Sequence, residues 1–538
     1  MEISVSTAYF VLLILLIAYI PIWIWTWRRP EAAARWHLQK YGPCIMIRTQ
    51  LGMKTMDRFA RYPRFWHAFG FASKLISAIL FLMMMYMLVV AVIALPSRLA
   101  SGSSIGIEYA LAIPGFNPIM PLSYGVVALL IAMVVHELGH GIQARVNGMR
   151  VDSSGLLYGV VPLGAFVEPN EEDLSKSSRK AQVDVYAAGI TVNTILAVIS
   201  IVLMILACGC VHSDYGDTPG VYYMDDGSPA YEAGIPASAL IIGISDKDGN
   251  ILTGKDWTGT ESGTLTVGTS GTAAYIDYDF DPTQQYILTY LDHGETKHTE
   301  PVQMGSYVKA ITTNSPASES GLRAGEFIQS VSSGDKTYTI GGPSDFTDFM
   351  KTTTGGQTIT INTVTKMADD GTYELKQYTA TLTSKGSIGF LGVTSTTGGM
   401  TFTTPNLMMD RATDPFYGAD SPYGAFKSFF SYLSGPFNSM DPISDEVRWW
   451  YDTPDVLWVV ITMLYWLFWL DILLAVSNAL PTYILDGGFI FAGGVSWLLE
   501  KLRIEDEERR RRMTDSIAGS VSTVVLFLFL LVIVSMVI

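Results

Sequence analysis

"SYGVVALLIAMVVHELGHGI", residues 123–142, decides the fold, because it sets two histidines and a glutamate in an apolar run that reads as a membrane helix. Ionisable groups at membrane depth are costly and are usually functional. On a helix, His136 and His140 lie one turn apart, about 40° around the axis, so both imidazoles project from one face. That spacing lets two ring nitrogens reach one metal ion, and Glu137 beside them can hold a water on it.

Working outward, composition agrees with a membrane setting. The 538-residue chain has a mean hydropathy of +0.29 and only 16% charged residues. Its 49 glycines and net charge of −15 mark a polar, acidic part mixed with an apolar one. Cys44, Cys208 and Cys210 make no disulfide framework and lack CxxC spacing. Neither a phosphate loop nor a basic groove suited to nucleic acid is present.

Six runs are apolar and long enough to span a bilayer: 9–27, 75–95, 122–147, 185–207, 456–476 and 517–538. The first ends in tryptophans followed by Arg28 and Arg29, without a small-residue cleavage site, so it reads as an anchor. Residues 30–68 carry Arg35, Lys40, Arg48, Lys54, Arg58, Arg61 and Arg64, which marks a cytoplasmic loop. Lys176, Arg179, Lys180 and the arginine run at 509–512 then fall inside, and the acidic segment 211–450 falls outside. The expected fold is a polytopic α-helical membrane protein of about six transmembrane helices with an inserted extracytoplasmic, mainly β region. Both termini would be external, in the plasma membrane of a prokaryote, with the lipid bilayer as first partner.

A third ligand is available in "SNALPTYILDGGF", residues 477–489. Pro481 and the Asp486-Gly487-Gly488 turn break a helix near membrane depth, where non-helical backbone must be buried or line a polar cavity. Asp486 can supply a hard oxygen to a two-histidine site, or cap a structural turn. His136 lies roughly 21 Å into its span at 1.5 Å per residue, towards the cytoplasmic side like Asp486.

Together these residues resemble the site-2 protease family of intramembrane zinc metalloproteases: HExxH at 136–140, N-x-x-P-x-x-x-x-D-G at 478–487, and Gly189 with Asn193 as G-x-x-x-N between them. The resemblance covers about 122–207 and 456–500. It implies that His136, His140 and Asp486 bind Zn2+ and that Glu137 is the catalytic base acting on transmembrane protein substrates. Asn193 and Asn478 are the candidates for a neutral oxyanion donor. "YGVVPLGAFVE" at 158–168 is similar to the family's membrane hairpin, so Pro162, Gly164 and Phe166 are expected against an extended substrate. Asp471, two turns before Asn478, is expected to point inward as a hydrogen-bond donor or a partner of a zinc-bound histidine.

Within 211–450, "DGSPAYEAGIPASALIIGISDKDG" from 226 and "TNSPASESGLRAGEFIQSVSSGDK" from 313 look alike. They resemble PDZ domains in the circularly permuted prokaryotic form, with "GSIGFLGV" at 386–393 closing the second. Such domains capture a peptide or a substrate ectodomain, or exclude bulky ones. The expected division is 1–68 anchor and basic loop, 69–121 second span, 122–210 first catalytic half, 211–305 and 306–395 PDZ-like domains, 396–455 interfacial aromatic connector, 456–500 second catalytic half, and 501–538 charged segment and last span. Two other classes compete: a peptidase acting on small soluble peptides, and a non-catalytic zinc-containing receptor. The Asn-Pro-Asp-Gly element disfavours the first, and the intact Glu137 disfavours the second.

Overall fold

The computed structural model describes residues 5–537 apart from 102–112, 118, 161, 257, 271–272, 369 and 434–442. The described residues divide into two compact units, one of those up to 207 and from 455 onward, and one of those between 208 and 454.

The first unit is helical. Its long apolar helices are α1 (Val5–Arg28), α2 (Pro63–Ser101), α3 (Leu122–Val146), α4 (Arg179–Cys208), α5 (Asp455–Asn478), α6 (Asp486–Lys501) and α7 (Glu507–Val537). Among the described residues, stretches of α2, α3, α4, α5 and α7 are long and apolar enough to cross a membrane, and Leu13–Arg28 is a shorter apolar helix. On α2, Leu75, Ile79, Leu82, Val89 and Ile93 are exposed, an apolar stripe that water would not tolerate but lipid would. Its other side packs inward, where Leu80 meets Ile190 of α4, Ala475 of α5 and Ala479 just beyond it. Several long apolar helices and a large inserted β region together fit a membrane protein.

The segment 30–62 is built structure and not the plain basic loop expected from its charges. β1 (Leu38–Tyr41) and β2 (Cys44–Thr49) join β3 (Val151–Tyr158) and β4 (Pro162–Pro169) in one antiparallel sheet ordered β1-β2-β3-β4. Ile45 pairs with Tyr158 and Thr49 with Ser154, so the hairpin expected near 158–168 is anchored across more than a hundred residues. Among the described residues, β4 is left as an edge strand.

The second unit is a pair of antiparallel lobes that share one continuous sheet, with one separate two-stranded hairpin. The first lobe holds β5 (Gly220–Met224), β6 (Leu240–Asp246), β7 (Ile251–Lys255), β8 (Glu261–Ser262), β9 (Val267–Ser270), β10 (Ala273–Ile276), β11 (Gln285–Asp292), β12 (Glu295–His298) and β13 (Val302–Gln303). The second holds β14 (Ser306–Ile311), β15 (Phe327–Ser333), β16 (Lys336–Thr339), β17 (Thr358–Val364), β18 (Leu375–Thr381), β19 (Thr383–Lys385), β20 (Ile388–Phe390) and β21 (Val393–Thr397). The chain then returns to the first lobe as β22 (Met400–Thr403), paired along β5. The second lobe is therefore nested inside the first.

This nesting corrects the expected connector at 396–455. Met400, Phe402 and Leu407 belong to the first lobe's core beside Val221, Ile241 and Leu288. Trp450 is fully buried and its ring N–H donates to the Ser238 carbonyl at 2.8 Å. A Cβ on Gly220 would come within 2.3 Å of the Trp450 ring, so this indole plugs the first lobe and does not belong to an interfacial belt.

Candidate metal centre and active site

α3 carries the two histidines at the spacing of one helical turn, and both are buried, His136 5% and His140 8% exposed. α5 ends at Asn478, three residues before Pro481, which has no N–H to donate to the preceding turn and whose ring disfavours continuing the helix. The chain turns and restarts as α6 with Asp486 as its first residue. The restart is tight: a Cβ on Gly487 would lie 2.4 Å from the Leu480 carbonyl oxygen, and one on Gly488 2.3 Å from that of Thr482. Two glycines let the start of α6 fold back on the turn, which delivers Asp486 to α3.

The result is a convergence of donors 350 residues apart in sequence. Asp486 Oδ2 lies 3.0 Å from His136 Nε2 and 3.3 Å from His140 Nε2. Ligands held about 2.0–2.1 Å from one zinc at tetrahedral angles lie about 3.3–3.4 Å apart, close to both separations. His140 Nδ1 lies 2.8 Å from the Val185 carbonyl, which fixes that nitrogen as the donor and frees Nε2 for an ion. The donor atoms of His136, Glu137 and His140 also lie within 4.8 Å of one another. Glu137 is anchored separately, its Oε2 accepting the Val167 N–H at 2.9 Å. Two imidazoles, a carboxylate and a second carboxylate held off by a main-chain donor suit a divalent ion with one open position.

A cavity of about 280 Å³ opens beside this cluster. Met133, Leu474, Asn478, Ile484 and Phe489 line it together with Gly164 and Ala165 of β4. Of the expected hairpin residues, Gly164 reaches the cavity. Pro162 pairs through its backbone with Tyr158, and the Phe166 ring packs beside Gly155. Ala165 was not singled out from sequence, since a small apolar residue in a strand carries no signal.

Asn478 lines the cavity, while Asn193 is fully buried on α4 with neither side-chain atom hydrogen-bonded. One turn before it, Gly189 lies against the histidines. A Cβ there would stand 2.5 Å from His140 Nε2 and 2.8 Å from His136 Cε1. Asp471 is fully buried, but among the described residues neither carboxyl oxygen has a partner, so it is no hydrogen-bonding support for either histidine.

The sequence model of peptidase family M50 matches residues 124–529, three quarters of the chain, with every residue of the site just described inside the match. The chain belongs to peptidase family M50, the site-2 protease family. It is similar to the uncharacterized protein MJ0971 of Methanocaldococcus jannaschii, 34% identical over 193 residues that make up 36% of this chain. The chain spans about half the length of that curated relative.

Proposed function

We propose that this M50 member is an intramembrane zinc metalloprotease that hydrolyses a peptide bond within or near the transmembrane segment of membrane-protein substrates. The observation that carries the reading is the convergence of His136, His140 and Asp486 beside an independently anchored Glu137, in a cavity bordered by an edge strand. His136, His140 and Asp486 would hold the zinc, which when bound acidifies a water and polarises a carbonyl. Glu137 takes the proton of the attacking water and passes it to the leaving amine as the C–N bond breaks. The Val167 N–H holds its carboxylate in place for both transfers. Asn478, which lines the cavity, is the better-placed neutral donor for the developing oxyanion than Asn193, which is buried on α4 outside the cavity lining.

A helical substrate hides its own peptide bonds and must unwind to be cut. β4 offers an unpaired edge whose Gly164 and Ala165 border the cavity, so an extended substrate segment can add to it as a further strand. The proposal includes six spans in the cell membrane of a prokaryote, with both termini and the inserted lobes outside and the centre towards the cytoplasm. The lobes are read as a permuted PDZ-like pair that meets the substrate's external part.

Metal analysis of the purified chain, with cleavage of a membrane-embedded model helix, tests the proposal. About one zinc per chain is expected, lost in His140→Ala and Asp486→Ala. Glu137→Gln keeps the metal and loses at least about 10²-fold in cleavage. Stoichiometric zinc and full activity in Asp486→Ala would overturn the ligand set, and near-wild-type turnover in Glu137→Gln would overturn the mechanism.

A further inference from the structure

The two lobes of the inserted unit can be laid over one another hydrogen bond by hydrogen bond. Asp225 N–H donates to the Gly399 carbonyl at 2.9 Å, and Thr312 N–H to the Gly392 carbonyl at 2.8 Å. Ser228 caps the short helix Pro229–Glu232, and Ser315 caps Pro316–Ser320. Each capping serine abuts the glycine just named: a Cβ on Gly399 would lie 2.1 Å from Ser228 Cβ, and one on Gly392 2.3 Å from Ser315 Cβ. β5 thus corresponds to β14, β6 to β15, β11 to β17, and β22 to β21.

At one place the correspondence fails. Between β16 and β17 the second lobe has an amphipathic helix, Pro343–Lys351, which buries Phe346 and Phe349 and lies beside β20 and β21. Between β7 and β11 the first lobe has the hairpin β9–β10 instead. β10 pairs antiparallel with β22 at Ala274 and Phe402, on the side of β22 away from β5. Ala274 and Ile276, alternate residues of that strand, turn into the first lobe's core. The equivalent side of β21, away from β14, pairs only at Thr397, where the chain turns into β22. From Val393 to Thr396 that edge has no strand partner among the described residues, and Thr394 is exposed.

We propose that the first lobe is closed to peptides by its own β9–β10 hairpin, and that the second lobe alone accepts an extended peptide, added antiparallel to the free edge of β21 beside the helix Pro343–Lys351. The occupant is identified by the first lobe's own chemistry. β10 is an extended strand with small or aliphatic side chains at alternate positions, docked on the matching edge. A substrate segment of that pattern satisfies the backbone groups of β21 as β10 satisfies those of β22. The pair is then one receptor and one spacer. This rests on the PDZ-like reading of the inserted unit and is independent of the zinc chemistry.

Hydrogen–deuterium exchange on the full chain, carrying Glu137→Gln to prevent cutting, tests it. The probes are decapeptides with valine or isoleucine at alternate positions and free or amidated C-termini. Without probe, amides of 400–403 should exchange slowly, and within 393–396 those facing away from β14 quickly. Probe should slow 393–396 by about tenfold or more and leave 400–403 unchanged. Protection gained at 400–403 with release of 273–276, or no protection at 393–396 with saturating probe, overturns the proposal. Replacing residues 268–275 by a Gly/Ser loop should give the first lobe the same probe-dependent protection at 400–403. A folded variant without that gain also overturns it, and if the variant fails to fold the parent chain decides alone. Should no probe bind while the wild-type chain still cleaves its membrane substrate, the receptor reading fails and the protease reading stands.

Discussion

At the scale of single residues, the site depends as much on what is missing as on what is present. Gly189 has space for no side chain, because a methyl group there would occupy the volume of both imidazole edges. Gly189→Ala should therefore weaken zinc binding by about 10–100-fold, the range typical of disturbed ligand support, while α4 itself gains helix propensity. Metal titration with a competing chelator measures this, and unchanged affinity would show that the histidines can swing aside. Asp471 presents the opposite case, a carboxyl in the middle of α5 with no partner for either oxygen. An unpaired buried charge costs several kcal/mol, and an amide of the same shape does not carry it. Asp471→Asn should keep zinc and hold or raise the thermal midpoint in detergent. A fall of more than about 4 °C would mean that the carboxyl binds a cation or proton partner that the fold needs. That His136, His140 and Asp486 converge was legible in sequence because metal ligation would restrict residue type and helical spacing. Gly189 was legible only as half of a pattern, and its steric reason required the packing of α4 on α3.

At the scale of elements, β4 has two tasks. It pairs with β3 on one edge and presents the other edge to the cavity, and Val167 on that outer edge donates its N–H to Glu137. Proline at an outward-facing edge position leaves the ladder intact but removes the donor. Val167→Pro should keep zinc while lowering kcat by about 10²-fold, since the base is no longer held. Equal losses of zinc and activity would instead indicate that the strand had collapsed. The sequence pointed to the β4 hairpin by its resemblance to a known motif, but not to β1 and β2 that complete the sheet. Leu38–Tyr41 is largely exposed, and a strand without an alternating buried face leaves no period-two signal against its basic surroundings. Its partner lies far along the chain, and no local pattern encodes such a pairing.

For the whole molecule, the nesting of the two lobes determines which cut through the chain is clean. Removing 220–394 follows the boundaries that sequence alone suggests, yet it leaves β22, the helix Pro405–Thr413 and Trp450 without the core that they fill. These would expose large apolar surfaces and drive association. Removing 213–451 takes out both lobes with their returning strand and their tryptophan plug. It leaves α4 and α5 to be joined by a flexible Gly/Ser linker. None of the proposed zinc ligands, nor Glu137, lies in that stretch, so the shorter chain should remain monodisperse in detergent and bind about one zinc. If the lobes filter substrates, those with bulky ectodomains should be cut faster than by the full chain. If the second lobe captures an extended segment, trimmed substrates with alternating aliphatic external tails should be cut more slowly. Equal rates for both substrate types would reduce the inserted unit to a spacer, and loss of zinc in the 213–451 deletion would show that the inserted unit holds α4 and α5 in register.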